Sequence, residues 1–485
     1  MRMRLTCLIA VCALVCLSPL SARSQSDTAL KLSTTVPIAI SEFKAGVADL
    51  ENLSGEAGGS HFEAAIKADP NFGLARVLYV YGSGLLGGAL TLSQMNAELN
   101  RGVADAATHG NVNELLLAAA YREQVVGTTK AASAIARAAS QLLPGDRLIA
   151  ASAFGFPAFG SEQVAALRDF IAHNPAYPLP YNALAYSLSL QGDQPGALEA
   201  AKRQAELNPN APNPHDSYAE ILQWNGKFPE AAAEYRRATT TPPRFPEAYA
   251  GLAEVEALQG HYDQARAYLN QAIANAWSPQ QKLNYMRQIA GTYALQGNSE
   301  QALTKQLDAI ANEARSQQNP QRVAISMAQT ATVYANTGNA AAAHEAIAAA
   351  KAASAEVPWL VNYYATMAHA SMKHWGPANQ ELAALKARAA TDPTVSKTLI
   401  AAAEANLATQ QGRPADALKI LMTSDTTDIV VMNRIAEAHA TLGHPAETKV
   451  WYNRISSNYA LNLLDFPAAN ARRRTRMASS TIRTP

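Results

Sequence analysis

Three stretches of this 485-residue chain hold residue types at spacings that bear on chemistry. Gly82-Ser83-Gly84-Leu85-Leu86-Gly87 is a literal GxGxxG, a pattern whose glycines, set between a strand and a helix, let backbone N–H groups meet a pyrophosphate. Its apolar lead-in, Leu74 to Tyr81, would have to be the strand, and an acid ending a second strand would have to hold the ribose. The acid in range, Asp105, sits in an alanine-rich, helix-like stretch, so no cofactor is assigned. Histidines recur as His369 with His374 and His439 with His444, and His261 stands alone at the second of these positions. A spacing of five leaves one helix face, and the second histidine falls just past the helix end, where an imidazole faces the dipole favourably. These residues read as capping or surface groups rather than metal ligands. His344-Glu345-Ala346-Ile347-Ala348 begins like a zinc-protease helix, but Ala348 stands where the second histidine belongs. No residue is nominated as catalytic, cofactor-binding or metal-binding.

The elements that carry these residues follow from a period of 34. Pro178 to Ala211, Pro212 to Phe245 and Pro246 to Pro279 align without a gap. Leu184, Tyr218 and Leu252 share the seventh position, Ala185, Ala219 and Ala253 the eighth, and Gly192, Gly226 and Gly260 the fifteenth. Ala197, Ala231 and Ala265 share the twentieth, and Pro209 and Pro243 the thirty-second. A glycine between two helical stretches supplies a left-handed cap, small residues let paired helices approach, and a proline stops the second helix. Gly127, Gly297, Gly338, Gly412 and Gly443 continue the frame with drift, and Lys373 replaces the glycine in the unit from Trp359 to Thr391. His61 to Ala75 reads as a second helix running into the next first helix.

This pattern closely resembles the tetratricopeptide repeat. The resemblance implies an all-α, right-handed superhelical solenoid of roughly ten to twelve helix–turn–helix units over Pro37 to Phe466, with matches poorest near 37–112 and 144–177. It also implies that the concave groove is lined by positions 2, 5, 9, 12 and 13 of each first helix. In this chain those are Leu179, Asn182 and Tyr186, then Asp216, Glu220, Gln223 and Trp224, then Glu254 and Leu258, with Arg287 and Tyr363 further on. Some family members clamp a partner's C-terminal carboxylate there with basic residues. The acids Asp216, Glu220 and Glu254 depart from that pattern and favour a neutral, polar or basic peptide, or a glycan stacked on Tyr186, Trp224 and Tyr363 as a flat platform.

Composition sets the remaining bounds. Apolar residues make up 48% and charged ones 16%, which argues for packed helices rather than disorder. Arg2 and Arg4 precede the apolar run Leu5–Leu17, and Ala22-Arg23-Ser24 offers small residues for cleavage, so residues 1–24 are expected to be a signal peptide followed by a linker over 25–36. The run falls short of the ~20 residues of a transmembrane helix. Cys7, Cys12 and Cys16 would leave with it, as would three arginines, taking the formal charge from +1 to −2. That balance gives no electrostatic footprint for nucleic acid. Residues 467–485 hold Arg472, Arg473, Arg474, Arg476 and Arg483 without an acid and read as a basic disordered tail able to touch anionic lipid or cell wall. The expectation is an exported, non-enzymatic protein-binding scaffold at a bacterial periplasm or envelope, with a glycan-binding solenoid or the helical accessory part of an enzyme as alternatives.

Overall fold

The computed structural model describes residues 30–52, 54–86, 90, 92–142, 146, 161–242, 244–297, 300–392 and 394–482. The expected signal peptide over residues 1–24, Gly87, Pro243 and Arg483 lie outside them. Among the described residues there are 24 α-helices and no strand. Three hairpins come first: α1 (Pro37–Glu51) with α2 (Gly55–Ala68), α3 (Gly73–Tyr79) with α4 (Leu92–His109), and α5 (Val112–Val126) with α6 (Thr129–Leu142). Among the described residues α7 (Ser161–His173) follows. Eight hairpins continue as α8 (Leu179–Leu190) with α9 (Gln194–Leu207), α10 (Pro212–Trp224) with α11 (Phe228–Thr240), α12 (Pro246–Leu258) with α13 (Tyr262–Ala274), and α14 (Pro279–Gln296) with α15 (Glu300–Ser316). Then come α16 (Pro320–Asn336) with α17 (Ala340–Ala352), α18 (Trp359–Ser371) with α19 (Trp375–Ala389), α20 (Lys397–Gln410) with α21 (Pro414–Leu421), and α22 (Ile429–Thr441) with α23 (Pro445–Ser456). The last helix is α24 (Phe466–Ile482).

The repeat frame explains how each hairpin closes. Gly192, Gly226, Gly260, Gly297, Gly338, Gly412 and Gly443 all take positive φ. The residue after the left-handed one donates its N–H five residues back, as in Asp193 to Leu188 O at 2.9 Å, Lys227 to Leu222 O at 3.0 Å and His261 to Glu256 O at 2.9 Å. Lys373 adopts φ 58° where the glycine is missing and keeps the same bond, His374 to His369 O at 2.9 Å. Gly127 departs from the frame, ending α5 at φ −113°. The repeated alanines Ala197, Ala231 and Ala265 are fully buried, so each second helix rides directly on its first. First helices also touch first helices along the stack, α8 to α10, α10 to α12 and α12 to α14, and together they line one face.

The described part of the GxGxxG stretch, Gly82 to Leu86, is helical. Val80–Leu86 continues α3 as a π-helical widening, and a Cβ on Gly82 would stand 2.7 Å from the carbonyl oxygen of Gly55. The glycine is there so that α2 can approach. Asp105 lies 3.3 Å from the Arg76 guanidinium, which also holds Glu98 at 2.9 Å.

The C-terminus corrects the sequence reading. Residues 466–482 form a helix rather than a disordered tail. Asp465 caps it by accepting the Ala468 N–H at 2.9 Å, and Phe466, Ala469, Ala471 and Thr475 are buried against the solenoid. This helix lies across the first-helix face, packed on α14 and α22 as well as on its neighbour α23.

Candidate functional site: the inner groove

The groove is built by α8, α10, α12, α14, α16 and α18, and its residues fall into two zones. In the first, Tyr186 of α8 donates its hydroxyl to Glu220 of α10 at 2.5 Å and meets Trp224 edge to face at 5.6 Å. Asn182 donates to Gln204 at 3.2 Å and to the Ser217 hydroxyl at 2.9 Å. Asp216, Glu220 and Glu254 stand largely buried on the same face, and among the described residues none of them forms an ion pair. The walls of a narrow channel strip away bulk water, which disfavours their charged forms. Desolvation, reinforced by Glu220, Glu247 and Glu254, raises Asp216 well above the usual carboxylate range. Desolvation also raises Glu220, with the Tyr186 hydrogen bond opposing it. Glu254 is pushed up to about 8 by desolvation and by Glu220, although Gln223, the Leu463 backbone and Arg472 all pull it down.

The second zone is basic. Arg287 on α14 contacts Asn284 at 3.1 Å, and desolvation lowers it. Arg322 on α16 is lowered to about 9 by desolvation and by Arg287 beside it. The groove is therefore polarised along its length, with an acidic arc on α10 and α12 and a basic pair on α14 and α16.

The chain's own C-terminal segment occupies the groove between these zones and beyond. Tyr459 packs edge to face on Phe228 at 5.2 Å, and its carbonyl accepts from Gln223 at 3.3 Å. Leu463 donates its N–H to Glu254, and its carbonyl lies so close to α14 that a Cβ on Gly291 would stand 2.0 Å away. Within α24, Arg472 bonds the carbonyls of Asn458 at 2.7 Å and Ala460 at 2.9 Å. Arg474 holds Glu437 at 2.9 Å and Asn433 at 3.0 Å. Arg476 caps α14 through the carbonyls of Leu295 at 2.7 Å and Gln296 at 2.9 Å and bonds the Tyr262 hydroxyl. These three arginines direct donors to groups of the fold itself. A cavity of about 370 Å³ remains beneath α24, lined in part by Thr332, Tyr364, Met367, Asn406 and Phe466.

The residues expected from the sequence divide accordingly. Asn182, Tyr186, Asp216, Glu220, Trp224 and Glu254 come together on one face. Gln223 has no solvent exposure and joins Tyr235, Glu254 and Tyr459 as a structural link. Tyr363 is 4% exposed, and burial pushes its phenol up to about 12, so it packs rather than presents. Tyr186 and Trp224 cross at 68° and do not make a flat platform with it, which takes away the geometric support for glycan stacking. Sequence reasoning missed Glu247, Arg322, Tyr459 and the three engaged arginines. Asp465 followed by Phe466-Pro467 was the one local signal that a helix begins there, since an N-cap acid followed by proline in the first turn is a helix start.

Residues 222–280 match the family model described as tetratricopeptide repeat. No curated protein matches the sequence. Among solved structures the chain is similar to YrrB, described as a TPR protein with an unusual peptide-binding site, at 18% identity and TM-score 0.28 over 41% of this chain and 96% of that one. It is similar to a tetratricopeptide repeat protein from Parabacteroides merdae at 12% identity and TM-score 0.31, over 62% and 99% of the two chains. It is similar to human IFIT1 in a dimer with PPP-AAAA at 14% identity and TM-score 0.40, over 87% and 94%. At such identities the likeness concerns the fold alone.

Proposed function

We propose that this tetratricopeptide-repeat protein is a non-enzymatic interaction scaffold, and that the acidic arc of its groove receives a basic or polar segment of a protein partner. The observation that carries the reading is the set Asp216, Glu220 and Glu254, three carboxylates on one concave face without an ion pair among the described residues. Such a cluster is costly alone and is relieved by an incoming cation, which gains Coulomb energy in a channel of reduced dielectric. Trp224 and Tyr186 beside it offer the aromatic surface that anchors interfaces. The groove already accommodates an extended stretch of this chain at Tyr459 to Leu463, held by the kinds of contact a partner segment would make.

Export to a bacterial envelope belongs to the same proposal and rests on Met1-Arg2-Met3-Arg4 followed by the apolar run to Leu17. Recovery of the protein from fractionated cells with Gln25 as its first residue supports it; recovery of the intact N-terminus from the cytoplasm contradicts it. The binding reading is tested by affinity capture with the parent and with Asp216→Asn, Glu220→Gln, both folded by circular dichroism. A polypeptide retained by the parent and lost by the variant supports the acidic arc as the site. Equal retention by both places the site elsewhere.

A further inference from the structure

His344, His369 and His374 come from three different helical elements and converge at the turn edge of the solenoid. His344 projects from α17, His369 from the last turn of α18, and His374 is the residue on which α19 begins. Their nearest ring nitrogens all lie within 4.8 Å of one another. His344 Nε2 and His374 Nδ1 are 3.2 Å apart. Two imidazole nitrogens facing each other at that distance share either a proton or a cation, and ~3.3 Å is the ligand–ligand edge of a tetrahedral ion held at ~2.0 Å by nitrogen. His369 is 6% exposed, and its Nδ1 is buried without a hydrogen-bond partner. A buried imidazole nitrogen left unpaired is costly, and the His369 ring lies 5.3 Å from that of His344 and 6.4 Å from that of His374, centroid to centroid.

The spacing of five that counts against ligation on one helix is what the turn supplies. Lys373 takes the left-handed conformation and His374 bonds back to the His369 carbonyl, so residues five apart are brought side by side. The same turn brings His261 Nδ1 to 2.8 Å from Glu256 and His439 Nδ1 to 3.3 Å from His444 Nδ1. What distinguishes the first cluster is the third imidazole, delivered by the preceding repeat.

We propose that His344, His369 and His374 form a binding site for one borderline divalent cation of the zinc type, with its fourth position open to solvent. Imidazole is a preferred ligand of such ions, and three histidines with an open position is an established coordination class. Glu381, which bridges Lys351 and Asn362 nearby, contributes a compensating negative charge on the α19 side. The ion would tie α17 to α18 and α19 across a repeat boundary, fixing the stack far from the groove's acidic arc.

The test is titration of the demetallated full-length chain with Co²⁺, followed by its visible d–d absorption, with competition by Zn²⁺. The parent is expected to take up one equivalent with the intense bands of four-coordinate cobalt. His344→Gln removes an exposed ligand without disturbing the core and is expected to weaken binding by about tenfold or more, since loss of even outer partners costs ~10–100-fold. His439→Gln, His444→Gln is expected to leave that equivalent unchanged. Absence of a saturable equivalent in the parent, unchanged binding in His344→Gln, or loss in the His439, His444 variant would each overturn the assignment.

Discussion

Gly291 gives the sharpest test of where the C-terminal segment sits. It lies inside α14, where replacing glycine by alanine ordinarily stabilises a helix by about 1 kcal/mol. In this fold the added Cβ would stand 2.0 Å from the carbonyl oxygen of Leu463 and 3.0 Å from its carbon, both backbone atoms that cannot rotate away. Leu461, Leu463 and Phe466 are buried on either side, so the segment yields only by moving as a unit. Overpacking of this kind costs about 1–3 kcal/mol, and against the helical gain the net expectation is a loss of up to about 2 kcal/mol. Because a solenoid opens in parts, the assay is native-state hydrogen exchange at residues 458–466 alongside the denaturant midpoint. Protection there is expected to fall selectively in Gly291→Ala. In a chain truncated after Ser456 the same substitution is expected to become stabilising, because its obstacle is gone. Gly376→Ala, where nothing lies within 4 Å, serves as the control and is expected to be neutral or mildly stabilising. A Gly291→Ala protein that is more stable than the parent, with unchanged exchange at 458–466, would refute the placement of the segment in the groove.

Three further outcomes follow from the geometry. The Glu254 carboxyl has a folded pKa raised to about 8, so the folded state binds the proton more tightly than the unfolded one, and stability falls as pH rises from the ordinary carboxylate range through about 8. Glu254→Gln should therefore gain in melting temperature relative to the parent between pH 5 and pH 9, by a few degrees in order of magnitude, read by thermal unfolding at the two pH values. Arg76 is 5% exposed between Glu98 and Asp105, and Arg76→Ala is expected to cost about 1–3 kcal/mol in chemical denaturation by removing the partner of Glu98 and leaving Asp105 with Arg101 at 3.8 Å. Gly82→Ala is expected to destabilise by about 1–3 kcal/mol in the same assay, through the clash with the Gly55 carbonyl.

The repeat architecture was legible because each unit repeats the same local solution. Glycine at the left-handed position, buried alanines between paired helices and proline at helix starts recur at fixed offsets, and eleven complete hairpins are present among the described residues. Lys373 shows that position, not residue type, defines the turn, for it holds φ 58° at the cost a side chain incurs there. The groove's acidic arc was legible for the same reason. What could not be read was anything joining distant repeats. The arginines from 472 to 476 looked uncompensated because Glu437, which pairs with Arg474, lies in another hairpin. The cluster of His344 with His369 and His374 was invisible because its third member comes from the preceding unit and its five-residue spacing was judged on a helix that ends at Ser371. Gln223 and Tyr363 are covered by a segment far along the chain, Gln223 by the Tyr459 carbonyl and Tyr363 beside Phe466, and no local pattern announces that cover.

The claim most open to decision is that the acidic arc receives a cationic segment. Fluorescence anisotropy with paired labelled peptides of one length, one bearing lysines and arginines and the other glutamates at the same positions, tests it directly. The parent is expected to bind the cationic peptide at least about tenfold more tightly than the anionic one, and Asp216→Asn, Glu220→Gln to lose most of that preference. Equal binding of the two peptides by the parent, or a preference that survives in the variant, would contradict it.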